Sequence, residues 1–105
     1  MDWKEYENTI YEHFRAEFPR AKITRDAKIV GKYSKVGRQI DVLIEETVAG
    51  FEMRIVIDAK YRTHRIDVTD VEAFVSYCSD LGANKGLMIS LEGYTQAAAN
   101  RAHYG

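Results

Sequence analysis

The sequence predicts an α/β domain with a mixed central sheet flanked by helices, in the order α-β-β-β-α-β-α. Three observations carry that expectation. An apolar stripe at helical spacing opens the chain, through Trp3, Tyr6, Ile10, Phe14 and Phe18. Two β-branched runs, around residues 38–46 and 51–61, are separated by a short connection ending in Val48-Ala49-Gly50, as in an antiparallel hairpin. A second helical pattern, a short apolar run and an alanine-rich segment follow.

The first helix is expected over residues 4–17, with Asp2 and Glu5 spaced as a capping box and Pro19 helping to stop it. Glu7 breaks its pattern. It lies four residues after Trp3 and three before Ile10, inside the apolar stripe. A carboxylate there is costly unless something positive meets it. A first strand is expected within residues 25–33 and a turn near 34–37. In the next strand Ile40, Val42 and Ile44 alternate with Gln39, Asp41 and Leu43. Thr69 and Glu72 suggest the cap of the second helix, whose apolar face is Val71, Phe74, Val75, Cys78 and Leu81, with Gly82 at its end. Residues 86–91 read as a buried strand and 95–103 as the last helix.

The whole chain, residues 1–105, reads as one domain. A hydrophobic share of 46% and a charged share of 30% exclude a disordered or low-complexity segment. No apolar run suits a membrane span, the N-terminus has no secretory h-region, and the single Cys78 forms no internal disulfide. A cytoplasmic setting is expected. Charge is unevenly spread: residues 15–38 are net +6 and residues 41–58 net −4. Such neighbours suit a protein that attracts a polyanion and holds cations.

The hairpin arithmetic points to the chemistry. With the turn centred between Ala49 and Gly50, Asp41 faces Asp58 and Gln39 faces Lys60, all four on one face. Ile40, Val42 and Ile44 take the other face with Ile55, Ile57 and Ala59. Two opposed aspartates repel, and a hard divalent cation such as Mg²⁺ or Mn²⁺ removes the conflict. Lys60, two residues from Asp58, could position a water or stabilise charge on a phosphate. Glu7 could be a third acidic member, so that the unexpected buried acid and the unexpected acid pair explain each other.

Taken together, Glu7, Asp41 in GRQIDVLI and IDAK at 57–60 resemble the PD-(D/E)xK nuclease superfamily. The likeness is to the Mrr-type restriction endonuclease catalytic domain, and it spans nearly the whole chain. It implies a restriction-endonuclease-like core and a Mg²⁺-dependent DNA endonuclease, with Mn²⁺ as substitute. It further implies Asp41 and Asp58 as metal ligands, a contribution from the Ala59 carbonyl, support from Glu7, and Lys60 as the catalytic lysine. Ile40 stands where the family's motif has proline, and Asp58 where relatives often have glutamate. Relatives commonly continue with another strand after the last helix, so the chain is expected to be an excised domain or a minimal member.

DNA is the expected substrate. Lys35, Arg38, Arg62 and Arg65 flank the site and suit phosphate contacts, with Gln39 as a further contact to substrate or water. Tyr33 and Tyr61 suit either base stacking or packing at strand ends. No zinc-finger spacing or spare recognition helix is visible, so sequence-specific cutting would need a homodimer, a loop or an additional recognition domain. His13, His64 and His103 are too dispersed for a zinc site, and Cys78 on its apolar face reads as a packed thiol. Two other classes share some of these features. One is a nucleic-acid-binding module that keeps the fold without cutting, which the intact Asp41, Asp58 and Lys60 set argues against. The other is a protein-interaction module, which leaves Glu7 unexplained.

Overall fold

The computed structural model describes residues 2–104. Helix α1 spans Trp3–Glu17, β1 Lys22–Val30, β2 Gly37–Val48, β3 Phe51–Lys60, α2 Val68–Asp80, β4 Lys85–Ser90 and α3 Gln96–His103. The expected order holds. The strands form one sheet in the order β1-β2-β3-β4, antiparallel except for the β3–β4 pair. That parallel step needs a crossover, which α2 supplies.

Local chemistry explains most boundaries. Asp2 caps α1 by accepting a hydrogen bond from the Glu5 N–H at 2.8 Å. Ala49 and Gly50 both take positive φ, 52° and 83°, the geometry of a two-residue hairpin whose twist matches its strands. The turn therefore sets the register, with Val48 opposite Phe51 and Val42 opposite Ile57, as the sequence implies. Strand β1 begins at Lys22, earlier than expected, because Lys22 to Arg25 pair with Glu45 to Val42.

Helix α2 also starts early. Its capping box is Asp67 with Asp70, two residues before the expected Thr69 and Glu72. Ile66 is the cause: it is 1% exposed and bonded through its backbone to Gly93 and Thr95, so the chain turns into the helix directly after it.

The sheet separates two apolar layers. Tyr6 and Ile10 of α1 pack with Val42, Ile44 and Ile57. On the opposite side Ile40, Leu43, Val56 and Leu81 pack with Phe74, Tyr77 and Cys78 of α2. A third cluster of Ile66, Val71 and Ala98 fastens α3 to α2.

Two expectations fail here. Ile40 does not share a face with Val42 and Ile44; it lies in the α2 layer. Strand β1 makes the same switch, with Ile23 in the α1 layer but Ala27 and Ile29 in the α2 layer. The β1–β2 ladder skips Asp26 and Asp41 between the Arg25–Val42 and Ala27–Ile40 pairs, and Asp26 has φ 48°. This irregularity resets the alternation in both strands at once. The second failure concerns α1, whose stripe overhangs the sheet: Trp3 and Phe18 are half-exposed rather than buried.

Candidate active site

Strands β2 and β3 part where the acidic residues stand. Their pairing ends at Val42–Ile57, although both strands continue. Beyond that point β3 keeps only β4, with Asp58 opposite Met88 and Lys60 opposite Ser90. Asp41 fills the gap with its side chain, whose Oδ2 accepts the Ala59 N–H at 2.8 Å. A carboxylate thus takes the ladder position that a strand carbonyl would otherwise hold.

Asp58 sits beside it. By alternation with Val56, Asp58 and Lys60 belong to the α2 side of the sheet. Lys60 Nζ lies 2.9 Å from Asp58 Oδ2. Asp58 lies close enough to Asp41 for its charge to act on the Asp41 carboxyl. Burial raises the Asp41 carboxyl above the usual range; the Ala59 N–H opposes this, and the Asp58 charge adds to it.

Glu7 enters from the opposite layer, on the second turn of α1. It is 7% exposed, and its Oε1 is buried with no hydrogen-bond partner. Burial first, then the charges of Asp41 and Asp26, push its pKa up to about 7; Arg25 pulls the other way. The structure therefore brings Glu7, Asp41, Asp58 and Lys60 to one opening in the sheet, with Glu7 approaching from the layer opposite to Asp58 and Lys60. Gln39 is not part of this group: it is exposed and pairs with Lys28 on β1.

Among the described residues, no three His, Cys, Asp or Glu side chains form a closed cation cage. The residues nonetheless fit a hard divalent ion. Mg²⁺ is commonly held by one or two carboxylates, with water completing its shell. Asp41 and Asp58 are such a pair, and a buried oxygen without a donor lies behind them on Glu7. The donors are all oxygen, the type that Mg²⁺ and Mn²⁺ prefer.

A restriction endonuclease family model, Mrr_cat, matches residues 1–104. The chain belongs to this family. Membership agrees with the PD-(D/E)xK resemblance carried by Glu7, Asp41, Asp58 and Lys60. The fold is also similar to the crystal structure of a protein of unknown function, AF1548, at a TM-score of 0.71 and 15% identity. The match covers 94% of this chain and 53% of that one, so this Mrr_cat domain spans about half the length of AF1548. No curated protein matches.

The basic residues around the Mrr_cat site differ in freedom. Lys35 and Arg65 are exposed, Lys35 in a turn with φ 62°. Arg62 donates to Asp70 Oδ1 at 2.9 Å, which anchors it on the first turn of α2. Arg38 lies over the Tyr77 ring, 4.7 Å from its centroid, with Nε 3.5 Å from Asp80 Oδ2. Tyr61 packs on Tyr6, ring centroids 5.4 Å apart. The Cys78 thiol is pushed up to about 11 by burial, which makes it a packing group and not a nucleophile.

Asp80 is the buried group that sequence reasoning missed. Its Oδ1 accepts the N–H groups of Tyr33 and Ser34 at 2.8 and 2.9 Å, and its Oδ2 accepts the Ser34 hydroxyl at 2.6 Å. These bonds hold its carboxyl down to about 2. They staple the β1–β2 turn to the end of α2 and so position Arg38. One signal was present: an acid in the last turn opposes the helix dipole, so it needs donors from elsewhere.

Proposed function

We propose that this domain is a metal-dependent DNA endonuclease that hydrolyses phosphodiester bonds, with Mg²⁺ as its ion and Mn²⁺ as a substitute. The observation that carries the reading is the buried, donor-less oxygen of Glu7 behind the Asp41–Asp58 pair at the strand opening. A fold gains nothing from leaving that oxygen unmet, whereas a cation-binding site uses it.

Asp41 and Asp58, with the Ala59 carbonyl, would hold the ion, and Glu7 would support them. The ion supplies positive charge where negative charge develops on the phosphate. Lys60 is anchored on Asp58 at 2.9 Å and retains donors for a phosphate oxygen or an attacking water. Lys35 and Arg65 are free to reach the DNA backbone. Arg38 and Arg62 arrive with their directions set by Asp80 and Asp70. Gln39 lies exposed beside them. These contacts are to phosphate, so binding falls steeply with salt and carries little base specificity. DNA in the cytoplasm is the partner, and cutting both strands calls for two copies of the domain or an additional recognition domain.

The test is incubation with supercoiled plasmid in Mg²⁺ or Mn²⁺, beside EDTA and Asp58→Ala controls. Nicking that requires the metal and disappears in the variant supports the reading. No cleavage, together with no metal binding by calorimetry, overturns it in favour of a non-cleaving binding or protein-interaction module.

A further inference from the structure

Helix α1 carries its apolar stripe one turn past the sheet, at the end nearest the acidic opening. Trp3 stands three residues before Tyr6 and four before Glu7, which makes them neighbours on one helix face. Tyr6 and Glu7 are buried, yet Trp3 is 51% exposed. Tyr6 packs on Tyr61, which follows Lys60 directly and is itself 37% exposed. Tyr6 and Tyr61 therefore form a ring pair, with Trp3 and Glu7 on the same face of α1 as Tyr6 and with Lys60 preceding Tyr61 in the chain. Lys4 Nζ lies over the Trp3 ring, 5.6 Å from its centroid.

The other overhanging end of α1 differs. Phe18 is also half-exposed, but it stacks on Phe14 and adjoins no acidic group of the site. Exposure at the Trp3 end coincides with the residues assigned to phosphodiester hydrolysis, and a cation accompanies it. A flat aromatic face with an ammonium beside it matches a nucleotide, which presents a flat base and a phosphate together. In paired DNA both faces of each base are covered by its neighbours. A protein ring can stack only on a base that is unpaired or displaced from the helix.

We propose that Trp3, one turn before Tyr6 and Glu7 on the same helix face, stacks on an unpaired nucleobase beside the phosphate to be cut, so that the domain favours DNA with unpaired bases over fully paired duplex. The proposal rests on the DNA-hydrolysis reading and assigns the structural class of its substrate.

Trp3 is the only tryptophan in the chain, so intrinsic emission reports on this ring alone. The wild-type domain is titrated in EDTA with a paired duplex and with the same duplex carrying an unpaired thymine loop, binding being followed by the anisotropy of a label on the DNA. The looped duplex should quench Trp3 well beyond the paired one at equal saturation. Trp3→Ala should lower the ratio of looped to paired affinity about tenfold, as loss of one base–aromatic stack implies, and Trp3→Phe should recover most of it. Circular dichroism confirms that each variant folds. Equal quenching by both DNAs, an unchanged ratio in Trp3→Ala, or no binding of the looped duplex overturns the proposal. So does an emission change that follows protein concentration without DNA, which would mark the ring as a contact with a second copy. Plasmid nicking by the same preparations separates the two readings. Metal-dependent nicking with an indifferent Trp3 removes the stacking proposal alone, whereas absent nicking together with absent metal binding by calorimetry removes the hydrolysis reading.

Discussion

Glu7 and Asp80 are equally buried, at 7% exposure, and stand in opposite surroundings. Asp80 accepts two backbone N–H groups and a hydroxyl, and its pKa falls to about 2. Glu7 has an oxygen with no donor, other acids nearby, and a pKa raised to about 7. The first carboxylate ties a turn to a helix. The second sits beside Asp41, Asp58 and Lys60. The difference separates a buried acid that serves the fold from one that weakens it while fitting a ligand site.

The largest effect expected is on chemistry. Lys60→Ala should slow metal-dependent plasmid nicking by about 10²–10³-fold, the usual loss when one preorganised charge leaves a site. Its melting temperature should barely move, because a partly exposed ion pair contributes only about 0–1 kcal/mol. A severe loss of stability in this variant would erase the contrast, making the opening as structural as the Asp80 hub.

Asp80→Ala is expected to do the reverse. Three donors lose their acceptor, so thermal melting should drop by several degrees, while nicking per folded molecule should fall far less than in Lys60→Ala, since only the direction of Arg38 is disturbed. The pH dependence follows from the lowered pKa. The stability Asp80 contributes is complete above its ordinary value near 3.8 and is lost as pH falls through about 2. An acid melt of Asp80→Asn should lack that limb.

Glu7→Gln sharpens the comparison from the other side. Glu7 has its pKa raised from 4.5 to about 7, so the folded state holds its proton more tightly and stability declines as pH rises across that interval. The substitution should flatten this decline. At pH 8 it should stabilise the metal-free domain by on the order of 2–3 kcal/mol. Chemical denaturation at pH 5 and pH 8 reads both effects, and a variant less stable at pH 8 would show that Glu7 serves the fold.

The smallest effect expected is that of Gly31→Ala. A Cβ at Gly31 would strike Asp80 Oδ2 and the Ser34 hydroxyl. The hub must shift to admit it, at a cost of about 1–2 kcal/mol measurable by urea melting.

Several of these residues were legible before folding. Asp58 and Lys60 share a strand face by the period of two, and Glu7 interrupts a helical stripe. Ile40 was misplaced because alternation was carried through Asp41, where a positive φ at Asp26 on the neighbouring strand resets it. The Trp3 position in the stripe was read correctly, but its burial was not, since periodicity does not reveal where the sheet beneath a helix ends.

The sequence by itself determined the element order, the hairpin register and the identity of the acidic and basic residues. Each depends on contacts a few residues apart: caps, a two-residue turn, the helical and strand periods. Tertiary structure alone decided that β2 and β3 separate at Asp41, that Glu7 approaches from the opposite layer, and that Asp80 finds its donors 46 and 47 residues away. These depend on how layers pack and where a ladder stops, and no local pattern in the chain encodes them.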